Sequence, residues 1–235
     1  NQLEADWVSG IETIGMTKLS DIRHLPPARK TTGIGTRLMQ QNETFDDFAD
    51  VKGQHHAKRA LTVAAAGMHN VLLVGPPGSG KTMLLKRMTG ILPPMNDVEA
   101  MQISKIYSAA HMLDPNQPFM KARPFRSPHH NISLSGLIGG GSIPKPGEIS
   151  LAHRGILCLD EFPEFSRSVL EGLRQPLEDG AVTISRSRAA FRFPSRFILA
   201  ASMNPCPCGY FGSDDNDRPC RCTPTQIARY RSKIS

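Results

Sequence analysis

Three apolar runs, each leading directly into polar or glycine-rich residues, organise the chain. Val71-Leu72-Leu73-Val74 runs into Gly75-Pro76-Pro77-Gly78-Ser79-Gly80-Lys81-Thr82. Ile156-Leu157-Cys158-Leu159 runs into Asp160-Glu161, and Phe197-Ile198-Leu199-Ala200-Ala201 into Ser202-Met203-Asn204-Pro205. Short continuous runs of β-branched residues and leucine predict strands buried on both faces, as in a parallel sheet. Helical spacing fills the ground between them. Ala57, Ala60, Leu61, Ala64 and Ala65 share one face of a helix predicted over 54–66 and ended by Gly67. Met83-Leu84-Leu85-Lys86-Arg87-Met88 predicts a helix that Gly90 and Pro93-Pro94 close, and Ile103, Ile106 and Ala110 predict another over 98–112. Val169, Leu170, Leu173 and Leu177 predict a helix capped by Ser166 and running to about Glu178, with Pro176 bending its last turn.

Period-two alternation in Val182-Thr183-Ile184 and Phe191-Arg192-Phe193 predicts a hairpin around Ser185-Arg186-Ser187-Arg188. Prolines and glycines from Asp114 to Ser150 predict a long loop, in which Ile132-Ser133-Leu134 and Leu137-Ile138 pair as a short hairpin. Thr223-Pro224-Thr225-Gln226 has capping-box spacing with proline at the first helical position, and so starts a last helix. Residues 1–44 hold one short helix around Leu19-Ser20-Asp21-Ile22 and then a Gly/Thr-rich linker, too little to bury a core alone. The expected class is α/β: a parallel sheet flanked by helices over 45–235.

Composition narrows the setting. The 235 residues are 39% hydrophobic, and no apolar run approaches the roughly 18 residues that a membrane helix needs. With no signal-peptide pattern, a cytoplasmic protein without a membrane partner is expected. The first residue is Asn1, which suggests a piece of a longer chain. The net charge of +7 is concentrated in two acid-free stretches. One holds Lys121, Arg123, Arg126 and Lys145, the other Arg186, Arg188, Arg192 and Arg196. They suit either a polyanion partner or an ordinary solvated face.

The chemistry sits at the strand ends. Residues 75–82 fit G-x-x-x-x-G-K-[ST] between a strand and a helix, the loop that cradles phosphates on backbone N–H groups. In that role Lys81 reaches the β- and γ-phosphates and the Thr82 hydroxyl ligates Mg²⁺. Asp160, at the C-terminal end of its strand, can hold Mg²⁺ directly or through water. Glu161, one residue on, can polarise the water that attacks the γ-phosphate. Asn204 ends the third strand, where its amide could hold that water or sense the γ-phosphate, or merely serve the turn before Pro205. His129-His130 suggests a loop role rather than metal, since no further ligand stands at suitable spacing. Cys206, Cys208, Cys220 and Cys222 flank a polar loop and could close a tetrahedral Zn²⁺ site, although C-x-C is tighter than the usual gap. Free thiols and disulfides stay open as alternatives. Cys158 is a core residue.

With these elements placed, residues 45–235 resemble the AAA+ ATPases, in the magnesium-chelatase-like family of the ComM/YifB type. The resemblance rests on Asp50-Val51-Lys52-Gly53-Gln54, the P-loop, Pro124-Phe125-Arg126-Ser127-Pro128-His129-His130 and Gly139-Gly140-Gly141. It continues in Pro146-Gly147-Glu148-Ile149-Ser150-Leu151-Ala152-His153, Leu159-Asp160-Glu161, Glu164-Phe165-Ser166-Arg167 and Asn204-Pro205-Cys206-Pro207-Cys208-Gly209. It implies a P-loop NTPase fold with Asp160-Glu161 as the Walker B pair and Asn204 as sensor 1. Val51 and Gln54 fall where the adenine is held. Residues 114–150 become a helix-2 insert, and 181–194 a β-hairpin before sensor 1. In relatives both elements face the pore of a hexameric ring, which makes Arg186 and Arg188 DNA contacts. Residues 1–44 become the remnant of an N-terminal domain of S5/Lon type plus a linker. The arginine finger and helical lid are expected beyond Ser235. The implied activity is an ATP-driven motor of a branch-migration helicase on branched or single-stranded DNA. Two competing functions are a magnesium-chelatase motor subunit and a nucleotide-dependent scaffold with little turnover.

Overall fold

The three apolar runs lie side by side as parallel strands. A computed structural model of the chain describes residues 12–16, 18–23, 29–30, 47–114, 119–141, 144–186, 189–213 and 218–234. By their internal contacts these belong to two compact units, Asn1–Thr44 with Met95–Ala122, and Phe45–Pro94 with Arg123–Ser235.

The second unit runs through α1 (His55–Gly67), β1 (Val71–Val74), α2 (Lys81–Arg87), β2 (Phe125–Arg126), α3 (Leu134–Ile138), β3 (Gly139–Gly140), β4 (Lys145–Pro146) and α4 (Glu148–Leu151). It continues with β5 (Ile156–Leu159), α5 (Arg167–Gly172), α6 (Arg174–Asp179), β6 (Ala181–Arg186), β7 (Ala189–Pro194), β8 (Ile198–Met203) and α7 (Pro224–Arg231). Four strands form one sheet in the order β1-β8-β5-β2, every pair parallel. The register sets Ala200 against Val71 and Met203 against Val74 on one side of β8. On its other side Ile198 faces Ile156 and Ala201 faces Leu159. One step further along, Ser202 therefore stands abreast of Asp160.

Alternation along the strands splits the core into two layers. Ile156, Cys158, Ile198 and Ala200 pack with Leu61, Ala64 and Ala65 of α1 and with Leu84 and Leu85 of α2. Leu157 and Leu159 face the other way, onto Leu137, Ile149, Val169 and Val182. All four side chains of β5 are fully buried, which explains its unbroken apolar run. Each large side chain buried this way contributes roughly 1.5–3 kcal/mol. Helices cover both faces of the sheet at β5, but β1 packs on one face, through Val71 and Leu73, while Leu72 and Val74 are exposed, so the expectation of burial on both faces fails for this edge strand. The loops leaving the C-terminal ends of the strands form one rim.

Two local expectations change. Residues 132–138 do not form a hairpin. Leu134, Leu137 and Ile138 stand at helical spacing, and Ser133 caps α3 by accepting the Gly136 N–H at 3.1 Å. The helix predicted from Ser166 to Glu178 is two helices, α5 and α6, meeting at Leu173. Pro176 has no N–H for the carbonyl four residues back, at Gly172, so the break comes before the proline. The Ser166 hydroxyl lies 3.1 Å from that of Ser168 and makes no side-chain cap bond to the backbone. The hairpin before β8 is present: Val182 pairs with Phe193 and Ile184 with Phe191, and the ladder closes at Arg186 opposite Ala189. Arg188 lies outside the described residues.

In the first unit, Glu12–Thr13 and Arg29–Lys30 form a short antiparallel ladder, and Leu19–Arg23 is a 3-10 turn. A helix spans Asp97–Ala109 behind a capping box of Asn96 and Glu99. Among the described residues no helix is long and apolar enough to cross a membrane.

Candidate functional site

The sheet assembles the site from residues far apart in sequence. β1 delivers the P-loop, and the Gly75 N–H donates to the Met203 carbonyl at 3.3 Å, extending the β1–β8 ladder into the loop. Gly78 and Gly80 take φ values of +77° and +82°, and a Cβ at either would point into open space. A side chain there would be strained by the backbone conformation alone. Lys81 opens α2, and its ammonium donates to the carbonyls of Gly75 (2.8 Å) and Pro76 (2.9 Å) and to Asn204 Oδ1 (3.3 Å). Burial pulls the Lys81 ammonium below its usual range, with the Asp160 charge opposing. A cation satisfied only by neutral oxygens inside a loop of open backbone fits a polyphosphate.

Asp160 is the hub of the other half. Thr82 Oγ1 donates to its Oδ2 at 2.6 Å, the Glu161 N–H to its Oδ1 at 3.1 Å, and the Ser202 hydroxyl also to Oδ1. Burial works against the carboxylate. The bonds from Ser202, Thr82 and Glu161, with the Lys81 charge, outweigh it and hold Asp160 below the usual carboxylate range. A threonine hydroxyl touching an ionised aspartate is a donor set that suits Mg²⁺. Glu161 stands just beyond, at φ +54°, with a largely exposed side chain whose Oε2 lies 3.6 Å from His130 Nδ1. Ahead of the loop in the chain, Gln54 Nε2 donates to the Ser79 carbonyl at 3.3 Å. Val51 is buried and its carbonyl accepts from Lys58 Nζ.

Lys81, Thr82, Asp160 and Asn204 thus meet, with Glu161 at the same rim and Val51 and Gln54 behind the loop. Three participants carry no local sequence signal. Ser202 reaches Asp160 only through strand register. His130, stacked on His129 at 4.0 Å and edge-on to Phe165, leaves β2 toward Glu161. The Tyr230 phenol takes the Asn204 backbone N–H, and burial raises its pKa. Glu161, Asn204, Arg229, Tyr230 and Lys233 line a cleft of about 520 Å³.

Two of the predicted basic residues are occupied inside the fold. Arg123 donates to the carbonyls of Pro93, Pro94 and Arg154. Arg126 forms a two-pronged pair with Glu148 at 2.6 and 2.7 Å. In the hairpin, Arg192 is exposed on β7. Cys206, Cys208, Cys220 and Cys222 are free thiols whose sulfurs all lie within 4.8 Å of one another, beside Asn204 in the chain.

A strand, glycine loop and helix whose lysine and threonine meet an asparagine from the adjacent strand and an aspartate from the strand beyond it define the P-loop ATPase class, in its AAA+ form. The family model described as magnesium chelatase, subunit ChlI, matches residues 47–235. The chain belongs to that family. It is 46% identical to competence protein ComM of Haemophilus influenzae, over all of this chain and 46% of that protein. It is 52% identical to YifB of Salmonella typhimurium over 80% of this chain and 36% of that protein. The magnesium-chelatase 38 kDa subunit of Rhodobacter capsulatus is 27% identical over 67% of this chain and 50% of that one. The chain therefore spans half or less of the length of these relatives. A solved complex of the magnesium chelatase subunits BchI and BchD shares the fold, with a TM-score of 0.53 at 21% identity over 81% of this chain and 66% of that one.

Proposed function

We propose that this chain binds ATP with Mg²⁺ and hydrolyses it, as the motor core of a hexameric ring acting on branched or single-stranded DNA in recombination. The observation that carries the ATPase reading is the meeting of Lys81, Thr82, Asp160 and Asn204 across three adjacent strands. Lys81 exchanges its carbonyl partners for the β- and γ-phosphates. Thr82 and Asp160 hold Mg²⁺, which supplies charge neutralisation on the phosphates when bound. Glu161 accepts the proton of the attacking water, and Asn204 orients that water or the γ-phosphate.

The DNA reading is supported by the 46% identity to a competence protein and by the basic hairpin. With Arg123 and Arg126 engaged internally, the hairpin arginines Arg186, Arg188 and Arg192 become the phosphate contacts. ATP turnover by the full-length protein, with and without branched DNA, tests both halves of the proposal. Stimulation by DNA is the expected result. Turnover indifferent to DNA would favour the chelatase-type motor, whose support is the family model and the 38 kDa relative.

A further inference from the structure

The four cysteines of 206–222 take no part in nucleotide chemistry, yet their sulfurs are gathered. Cys206 Sγ is 3.3 Å from Cys208 Sγ and 3.7 Å from Cys220 Sγ, and Cys208 Sγ is 3.6 Å from Cys220 Sγ. Cys222 completes the set within 4.8 Å. Four sulfurs placed tetrahedrally at about 2.3 Å from a zinc ion are separated by about 3.8 Å. A sulfur–sulfur bond needs about 2 Å, so the spacing is that of ligands around a shared centre.

Backbone amides also point at the sulfurs. The N–H groups of Tyr210 and Arg221 donate to Cys208, that of Cys222 to Cys220, and that of Cys208 to Cys222. Amides aimed at sulfur orient it, as outer-shell donors do around metal ligands.

The cluster also touches the nucleotide machinery from the side. Cys206 is fully buried two residues after Asn204, whose N–H is held by Tyr230 of α7. Gly209 takes φ +89° with its α-carbon so near the P-loop that a Cβ would sit 2.6 Å from Pro77 Cδ. Cys222 immediately precedes Thr223, which caps α7. Arg231 of that helix returns to the Pro205 carbonyl at 3.3 Å and lies over the Phe211 ring.

We propose that Cys206, Cys208, Cys220 and Cys222 bind one Zn²⁺ ion, and that the ion braces Asn204 and the P-loop against the start of α7. Binding releases the thiol protons to solvent and leaves the zinc coordinatively closed, so its role is structural.

The test uses the full-length protein purified without chelator. About one zinc per chain is expected by elemental mass spectrometry. Protein grown with cobalt should show the intense visible bands of a tetrahedral tetrathiolate. Cys208→Ser with Cys222→Ser should lose the metal, while Cys158→Ala keeps it. Stripping zinc should lower ATP turnover about tenfold or more, as expected when a catalytic group loses its placement; unfolding on stripping also supports the brace. Native protein without zinc whose four thiols react freely, or a six-coordinate cobalt spectrum, overturns the site. Unchanged turnover in folded, zinc-free protein overturns the brace. The metal count does not depend on ATP, so failure here and failure of the ATPase reading are distinguishable.

Discussion

Replacing Ser202 with alanine tests whether the sheet itself positions the Asp160 carboxylate. Ser202 is 1% exposed, and its hydroxyl is one of three donors on Asp160, with Thr82 Oγ1 and the Glu161 N–H. Bulk water does not reach the place where the lost hydroxyl stood. A hydrogen bond to a charged group contributes about 1.5–3 kcal/mol, and about 1.4 kcal/mol is tenfold in binding. Asp160 itself is half-buried, so solvent screening brings the expectation to the lower end, about a tenfold loss of Mg²⁺-dependent ATP affinity. The assay is titration of a fluorescent ATP analogue in the full-length protein at several Mg²⁺ concentrations. Affinity in excess chelator should change little, because Lys81 and the loop are untouched. The pH dependence has a definite sign. Asp160 is held below its ordinary value of 3.8, so its contribution to stability is present above that value and is lost as pH falls through the depressed one. In Ser202→Ala that loss should begin at higher pH. An unchanged Mg²⁺ requirement and an unshifted acid limb would refute the reasoning.

Lys81→Ala should abolish tight ATP binding, since the loop keeps no other side-chain cation for the phosphates; binding equal to the parent in an equilibrium titration would sink the P-loop assignment. Glu161→Gln should bind ATP normally and lose turnover about a hundredfold or more, as removal of a general base does; normal turnover would remove Glu161 from the chemistry. Replacing Arg186 and Arg188 together with alanine should weaken DNA binding for all sequences and flatten its salt dependence by about two phosphate contacts, with ATP binding intact. Unchanged DNA affinity in an assembled ring would end the hairpin proposal, whereas loss of the ring would mean that the arginines pair with a neighbouring subunit.

What was legible in the sequence is what is local. The P-loop and Asp160-Glu161 each follow an apolar run directly, and Asn204 comes three residues after one, so run and motif identify one another. The capping box at Thr223 and Gln226 is equally local and is present in both its bonds. Ser202 could not be found this way, because its bond to Asp160 depends on which residue of β8 faces which residue of β5. His130 meets Glu161 across two strands for the same reason. Other features were visible and misjudged. Leu134, Leu137 and Ile138 carry the i, i+3, i+4 signal that a hairpin lacks, and the end of α5 at Gly172 follows from counting four residues back from Pro176. The acid-free stretch around Arg126 ends at Glu148, and that carboxylate is the partner of Arg126.

The strand order bears on how the protein is made. β8 is the latest of the four sheet strands in the chain, yet it lies between β1 and β5. A nascent chain that has emerged as far as Glu161 already contains the P-loop lysine and both carboxylates. It has no site, because β1 and β5 do not touch without the strand that separates them. Only when Asn204 clears the ribosome can β8 slot in and set the two halves in register. Pairing at such sequence separation is slow, and until it happens two apolar strands stand with open edges. Nucleotide can therefore stabilise this unit only at the end of its folding.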